Sequence, residues 1–535
     1  MNSTYTWKNQ LFYASVLLFA MSLPFSEFMI SLSSILLFIS WLLTGHFTEK
    51  WKQLKHQPAA LLIISIFFVY VIGVFFTHDQ ALAIYELQKT AFILIIPLCI
   101  STGPTISYTL FRKIIISFLA SLNLAIVVAL VRLIFRDQFV ILDIWEILFV
   151  SHIGFTFQLL LGISMLIYEL FNNSTMRKSL RTILIADILY LIGFLFILKS
   201  LTGLATFVLL LIIHLIFVLR KIRNRKLKLF ALVMLPLMIM GGFAYIGWCI
   251  HRFYDIEQVD LSRLPEKTQN GHLYHHDITN KVLENGHYMG LYVCEEELQK
   301  SWEQRSSLGY QQADQNGYPI SSTLIRYLTS KGLTKDSAGL SKLLPEDIGY
   351  IEKGIANYIY AQRFFSLYPR IYQTIWELDV YFKTGDPNMK SLAKRIEFEK
   401  AAYTIIREHS LFGVGTGNFK QAFTVAYQKN RSQLESGQYG SSHNQYLNYL
   451  VKFGVLGFLW IMFAWISPLF LTNKQHYYPA VMLLLILGIS NFSDSNLEAH
   501  MGISFFIFFY SLFLFSETKQ LTIDKISDQE KIIKK

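Results

Sequence analysis

The chain has 535 residues, 53% hydrophobic, 15% aromatic and only 16% charged, where a soluble protein carries about 25% charged residues. With a mean hydropathy of +0.38 it has too few charges to solvate its surface, which excludes a cytosolic enzyme, a disordered scaffold and a collagen-like fibre. The net charge of +11 would suit nucleic acid, but residues 251 to 440 hold 22 Lys plus Arg against 22 Asp plus Glu, so the whole excess lies in the hydrophobic remainder and no nucleic-acid partner is expected.

A spanning helix needs roughly 20 apolar residues. Twelve such runs are read, at about 10 to 25, 28 to 46, 58 to 77, 81 to 100, 111 to 135, 147 to 169, 182 to 199, 201 to 219, 228 to 250, 443 to 471, 477 to 492 and 498 to 516. The first is not a signal peptide, because Pro24-Phe25-Ser26-Glu27 lacks a small-residue cleavage site and leads straight into the next span. The expected fold is therefore an all-α polytopic membrane protein of about 12 helices. It divides into a nine-span region (1–250), an outer helical domain (251–442), a three-span region (443–516) and a charged tail (517–535).

Orientation follows from the short loops, since Lys and Arg favour the cytoplasmic side. Lys50, Lys52 and Lys55, then Arg112 and Lys113, then Arg177, Lys178 and Arg181, then the cluster from Arg220 to Lys228, then Lys474, occupy alternate loops. Both termini are thus expected in the cytoplasm and residues 251–442 outside. Within that segment Ser321 to Ser330, Asp347 to Phe365, Tyr368 to Phe382 and Pro387 to His409 carry helical periodicity. The stretch around Gly271 to Gly290, with His272, His275, His276 and His287, is the least predictable.

Candidate chemistry begins at Ser441-Ser442-His443-Asn444-Gln445. Ser442 and Gln445 have capping-box spacing, which would put His443 in the first turn of the tenth span. There the helix dipole disfavours imidazolium and the exposed N–H groups attract an anion. The alternative is an interfacial histidine that only hydrogen-bonds. Leu411 to Phe419, with Gly413, Gly415 and Gly417, lacks the Gly-Lys-Ser/Thr ending of a phosphate loop and reads as a tight turn. Arg395 and Glu399, four apart, have the spacing of a surface ion pair.

The orientation leaves Lys89, Arg132, Arg136 and Lys199 near the outer ends of spans, with His152 opening the sixth span at the same level. Ionisable residues at such depth are expensive and are paired or functional. Together they would suit the diphosphate of a lipid-linked donor; alternatively each snorkels or pairs with Glu86, Asp137 or Glu146. Lys452, nine residues past His443, needs a partner, for which Asp187 and Glu498 are candidates. Cys99, Cys249 and Cys294 form no CxxC pair and the outer histidines show no ligand spacing, so neither a metal nor another cofactor is expected.

The order of Arg395-Ile396-Glu397-Phe398, Ile405 to His409, Phe412 to Phe419, His443-Asn444-Gln445-Tyr446-Leu447 and Lys452 to Gly457, set before a late span, resembles the O-antigen ligase and polymerase superfamily. Ser495 to Gly502 is similar to its last span in the form seen in Bacteroidota-like members. The resemblance implies a metal-independent, inverting glycosyltransferase of the bacterial inner membrane, moving a glycan from undecaprenyl diphosphate to a hydroxyl, on the lipid A core in ligases. It maps the family's base or orienting histidine onto His443 and its diphosphate-holding arginine onto Arg395; the topology adds Lys89, Arg132, Arg136, His152 and Lys199, and Asn444 joins them, as candidate donor contacts. Where many members carry a basic residue this chain has Leu201, with Lys199 two residues away as its substitute. A polymerase, a protein O-oligosaccharyltransferase and, from another class, a lipid-linked sugar transporter are the alternatives.

Overall fold

The computed structural model describes residues 7–135, 147–173, 175–221, 224–361 and 366–517. Arg136, Asp137 and Glu146 lie outside them. The chain is mostly helical and forms two compact units, which divide at Leu235/Pro236 and again at Asp379/Val380.

The first unit opens with α1 (Trp7–Ser22), α2 (Glu27–Leu43), α3 (Phe47–Lys55), α4 (Pro58–Val74), α5 (Gln80–Thr102), α6 (Tyr108–Ile134), α7 (His152–Asn172), α8 (Lys178–Ile197), α9 (Leu201–Lys221) and the start of α10 (Arg225–Tyr254). The second unit contains the rest of α10, α11 (Glu295–Glu303), α12 (Ile320–Ser330), α13 (Ser337–Ser341), α14 (Pro345–Glu352) and most of α15 (Tyr368–Thr384). The chain then returns to the first unit with α16 (Ser391–Glu408), α17 (Phe419–Lys429), α18 (Gln445–Leu471), α19 (Tyr478–Ser490) and α20 (His500–Phe515). Residues 380–442, read from the sequence as part of the outer segment, thus pack with the first unit.

Every apolar run read from the sequence coincides with a helix, and the chain is a multi-pass membrane protein. Among the described residues seven helices (α5 to α10 and α18) are long and apolar enough to cross a bilayer. An eighth is reached if α2 and α3, bent by 109° at their break, count as one. α4, α19 and α20 are shorter apolar helices; the 13 residues of α19 rise about 20 Å, short of a hydrocarbon core of roughly 30 Å. The difference from twelve arises because apolar residues continue past the helix ends, as Phe75 and Phe76 do beyond α4.

α20 is apolar on all sides and buried on all sides: Phe505, Phe506, Phe508, Phe509 and Phe513 are each no more than 1% exposed. It packs on α5, α19 and α2, while α1 lies on α2 and α4 on both α5 and α18. α3 differs from its neighbours in being mostly polar, with Phe47, Trp51 and Leu54 at helical spacing on one face. Its Lys50 donates to Trp41 O (2.5 Å) and Thr44 Oγ1 (2.7 Å), folding back over the Trp41 ring.

α18 is broken at Gly454, whose φ of 62° no side chain adopts without strain. The Gly-rich turn after α16 repairs the break. Val414 N and Gly415 N donate to Val451 O and Lys452 O (2.9 Å each), while Val455 N and Leu456 N donate to Ser410 O and Leu411 O (2.8 and 3.3 Å). The same turn docks on the end of α4 through Thr416 Oγ1 to Tyr70 O (2.7 Å) and Thr416 N to Gly73 O (3.1 Å). Val451 O, Lys452 O, Val455 N and Leu456 N, beside the break inside the apolar bundle, thus find partners. A Cβ at position 454 would collide with the Leu411–Phe412 backbone. Gly454→Ala is therefore expected to destabilise by at least about 1–3 kcal/mol from backbone strain alone. Thermal unfolding in detergent measures this; an unchanged midpoint would refute the role given to the glycine.

The second unit has an aromatic core with Trp302, Tyr310, Tyr327, Leu324 and Ile351, and a two-stranded hairpin of β1 (Leu283–Glu284) and β2 (His287–Tyr288). α12 and α15 match the helices read from the sequence at Ser321 and Tyr368, but the helix read from Asp347 to Phe365 stops at Glu352. Gly354, at φ 81°, turns the chain, and a single 3₁₀ turn follows at Tyr358–Ala361.

Candidate functional site

Two groups of residues meet at the start of α18, both within the first unit. The first centres on His443. The connection from α19 to α20 lies across from it, and Asp494 Oδ1 stands 3.1 Å from His443 Nδ1. The imidazole also stacks on Phe398 of α16, with ring centroids 5.7 Å apart. It remains 43% exposed, whereas Asp494 is only 14% exposed. Arg395, three residues before Phe398, donates from Nη1 to Ser493 O at 2.9 Å. The two residues that the sequence singled out are thus brought to consecutive residues of one loop.

Burial alone would push the Asp494 carboxyl up. The hydrogen bond and charge of His443, the Ser495 N–H at 2.8 Å and the nearby Arg395 guanidinium together hold it below the usual carboxylate range. An ionised carboxylate only accepts, so Nδ1 carries a proton beside it, and in the neutral ring Nε2 is then the nitrogen with the lone pair. This fixes the tautomer that a general base for a hydroxyl requires. The sign of the pH effect follows: a carboxyl depressed in the folded state contributes stability above its unfolded value of about 3.9 and loses it as pH falls through the folded value. The gap in melting temperature between wild type and Asp494→Asn should accordingly close below about pH 4. A gap that stays constant down to pH 3 would contradict the assignment.

The second group lies about two helical turns further along α18. Lys452 is 1% exposed and contacts Glu86 of α5 (2.8 Å) and Glu498 (2.5 Å). Glu86 also pairs with Lys89 (2.6 Å), and Lys89 donates to Glu498 O (3.0 Å). Two lysines and two glutamates therefore balance within the bundle. Gln445 links this cluster to the loop that carries Asp494, donating to Glu498 Oε1 (3.2 Å) and accepting from Leu497 N (2.8 Å), while its own N–H donates to Asn491 O (2.9 Å).

The capping expected at Ser442 is corrected. Asn444 is the N-cap, its Oδ1 accepting from Tyr446 N (3.0 Å) and Leu447 N (3.2 Å), and His443 precedes the cap instead of lying in the first turn. Gln445 cannot close a box because its side chain is committed to the 497–498 segment. Nor does Arg395 pair with Glu399, its guanidinium being drawn to Ser493 O. On the same helix Glu397 anchors α16 by accepting from Tyr381 OH (2.6 Å), Lys400 Nζ (2.8 Å) and Ser432 Oγ (2.5 Å).

The remaining candidates are spread more widely. Lys89 belongs to the second group, and Asn444 spends its Oδ1 on the cap. Arg132 donates to Ile147 O (3.2 Å) and lies 4.0 Å from the Phe149 ring centre. His152 is the first residue of α7, after the Ser151 cap. Lys199, between α8 and α9, has φ 49°, and its buried Nζ has no hydrogen-bond partner. Of the two partners considered for Lys452, Glu498 is found and Asp187 is not; Glu86 had been matched only with the outer cations. Asp494 was missed, although the polar run Ser493 to Asn496 between two apolar stretches marks the place.

Among the described residues His272, Cys294 and Glu297 place possible ligand atoms within 4.8 Å of one another. Glu297 is already satisfied by Thr268 Oγ1 (2.5 Å), Ser337 N (3.0 Å), Ser337 Oγ (2.7 Å) and His272 Nδ1 (2.9 Å). The trio therefore serves as a hydrogen-bonded cluster that ties α11 to its neighbours.

Residues 354–462 match the family model described as O-antigen ligase. The match contains Arg395, the Gly-rich turn, His443 and the break in α18. No curated protein matches the chain.

Proposed function

We propose that this chain, which carries an O-antigen ligase domain over residues 354–462, is a metal-independent, inverting glycosyltransferase of the bacterial inner membrane. It moves a glycan from undecaprenyl diphosphate to a hydroxyl of the lipid A core. In this reading both termini are cytoplasmic, twelve helices span the bilayer and residues 251–442 face the periplasm. The observation that carries it is the His443–Asp494 pair beside Arg395, of which His443 and Arg395 lie in the matched residues, at a helix start that a lipid-borne substrate can reach.

The acceptor oxygen attacks the anomeric carbon as Nε2 of His443 takes its proton, and the bond from that carbon to the diphosphate breaks, the leaving oxygen keeping the electron pair. Arg395 spends one N–H on Ser493 O and retains others for the diphosphate, whose charge grows as the bond breaks. Lys199 supports the same reading, since an ammonium buried without a partner suits a phosphate and its strained backbone marks a special position. Lys89 and Asn444 already have partners and contribute at most indirectly; Arg132, His152 and Arg136 complete the proposed donor contacts.

Arg395→Ala is expected to lower transfer by about 10²-fold or more, and Arg395→Lys to restore only part, because lysine cannot reproduce the planar fork. The decisive measurement is mass spectrometry of products made by purified protein in detergent from lipid-linked donor and acceptor. Glycan on lipid A core supports the ligase. Joined repeats would mean a polymerase and glycosylated protein an oligosaccharyltransferase, while a transporter, with no membrane to cross, would form no product.

A further inference from the structure

α18 carries the chain away from His443 over 27 residues. At its far end is Lys474, in the turn to α19. The sequence reads Lys474 as a solvated loop cation, but it is only 8% exposed and its Nζ has no hydrogen-bond partner. The centre of the Tyr477 ring lies 4.9 Å from it. A second orphan lies close by. Gln57, just before α4, makes no capping bond and its Oε1 is buried without a donor. Both residues line one cavity of about 310 Å³, together with Leu471, Leu514, Phe515 and Glu517.

A buried ammonium with no partner is costly, and so is an unsatisfied amide oxygen. The two orphans are complementary in kind: Lys474 calls for an anion, Gln57 for a hydrogen-bond donor. Glu517 adds a carboxylate to the same wall, which favours a ligand whose donor is positively charged. We propose that this cavity binds a phospholipid whose headgroup joins a phosphodiester to an ammonium, as phosphoethanolamine does. The phosphate is held by Lys474 and the ammonium by Gln57 Oε1 and Glu517, while Leu471, Leu514 and Phe515 receive the start of the acyl chains. The site is separate from the proposed glycan-transfer site and does not depend on that reading.

The test is native mass spectrometry of the full chain in detergent. Phosphatidylethanolamine and phosphatidylglycerol are offered in equal amounts, with glycerophosphoethanolamine as the headgroup without chains. Phosphatidylethanolamine should be retained about tenfold more than phosphatidylglycerol, and about tenfold less in Lys474→Met and in Gln57→Leu, the loss expected for one hydrogen bond to a charged group. Glycerophosphoethanolamine should not be retained. Equal retention of the two lipids, or undiminished retention in the variants, would overturn the proposal. Retention of the soluble headgroup as well as the lipid would replace it with a site for free phosphate esters. Should Lys474→Met fail to fold, Gln57→Leu, which removes only an acceptor, decides alone.

Discussion

His443→Ala abolishes glycan transfer, by about 10²- to 10⁴-fold, in a protein that still inserts and folds, its melting temperature lowered only by what the His443–Asp494 contact contributes. The fold tolerates the change because the imidazole is half exposed and its contacts are the Phe398 ring and one carboxylate oxygen. α18 keeps its cap, which is Asn444 and not the histidine. Asp494→Asn separates base from scaffold. An asparagine amide can donate to Nδ1, which moves the ring proton to Nε2 and leaves no lone pair for the acceptor hydroxyl. In that variant kcat should fall by about 10²-fold or more while the KM for donor stays near wild type. A rise in KM with unchanged kcat would instead assign Asp494 to substrate binding, and full activity in His443→Ala would sink the proposed chemistry.

Lys452→Met destabilises the protein by about 3–5 kcal/mol, the cost of leaving buried partners of an ion pair uncompensated. Without Lys452 the cluster keeps Glu86 and Glu498 against Lys89 alone, one negative charge in excess inside the bundle. Lys452→Met combined with Glu498→Gln removes one charge of each sign and should recover part of the loss, a coupling that a double-mutant cycle in detergent reads directly. If Lys452→Met melts like wild type, the cluster does not hold the bundle together. The single variant should also lose activity, because Glu498 and Leu497 are fixed through Gln445 to the loop that carries Asp494.

Much of this was legible in the chain itself. Apolar runs place the helices because nothing but a helix satisfies backbone groups within lipid, and the glycines at 413 and 415 announce a tight turn through their lack of side chain, whereas the break at Gly454 inside the apolar run 443–471 was not read from the sequence. His443 and Arg395 were legible by residue type and order, 48 positions apart. Their meeting at Ser493 and Asp494 was not, because it depends on the route of the chain between α19 and α20. The same holds for Lys452: its depth was predictable from 1.5 Å per residue, but its choice of Glu86 rests on the packing of α4, α5 and α18. The capping of α18 shows why local pattern runs out, since Ser442 and Asn444 are both competent caps and the outcome was decided by where the Gln445 side chain could reach. Lys474 makes the same point at the other end of α18. The sequence determined the membrane, the helices and the identity of the chemical groups, which follow from hydropathy and residue type. Only the tertiary structure decided which charges are paired, which nitrogen of His443 presents its lone pair and which ammonium is left alone, because these depend on distances of a few ångströms between residues far apart in the chain.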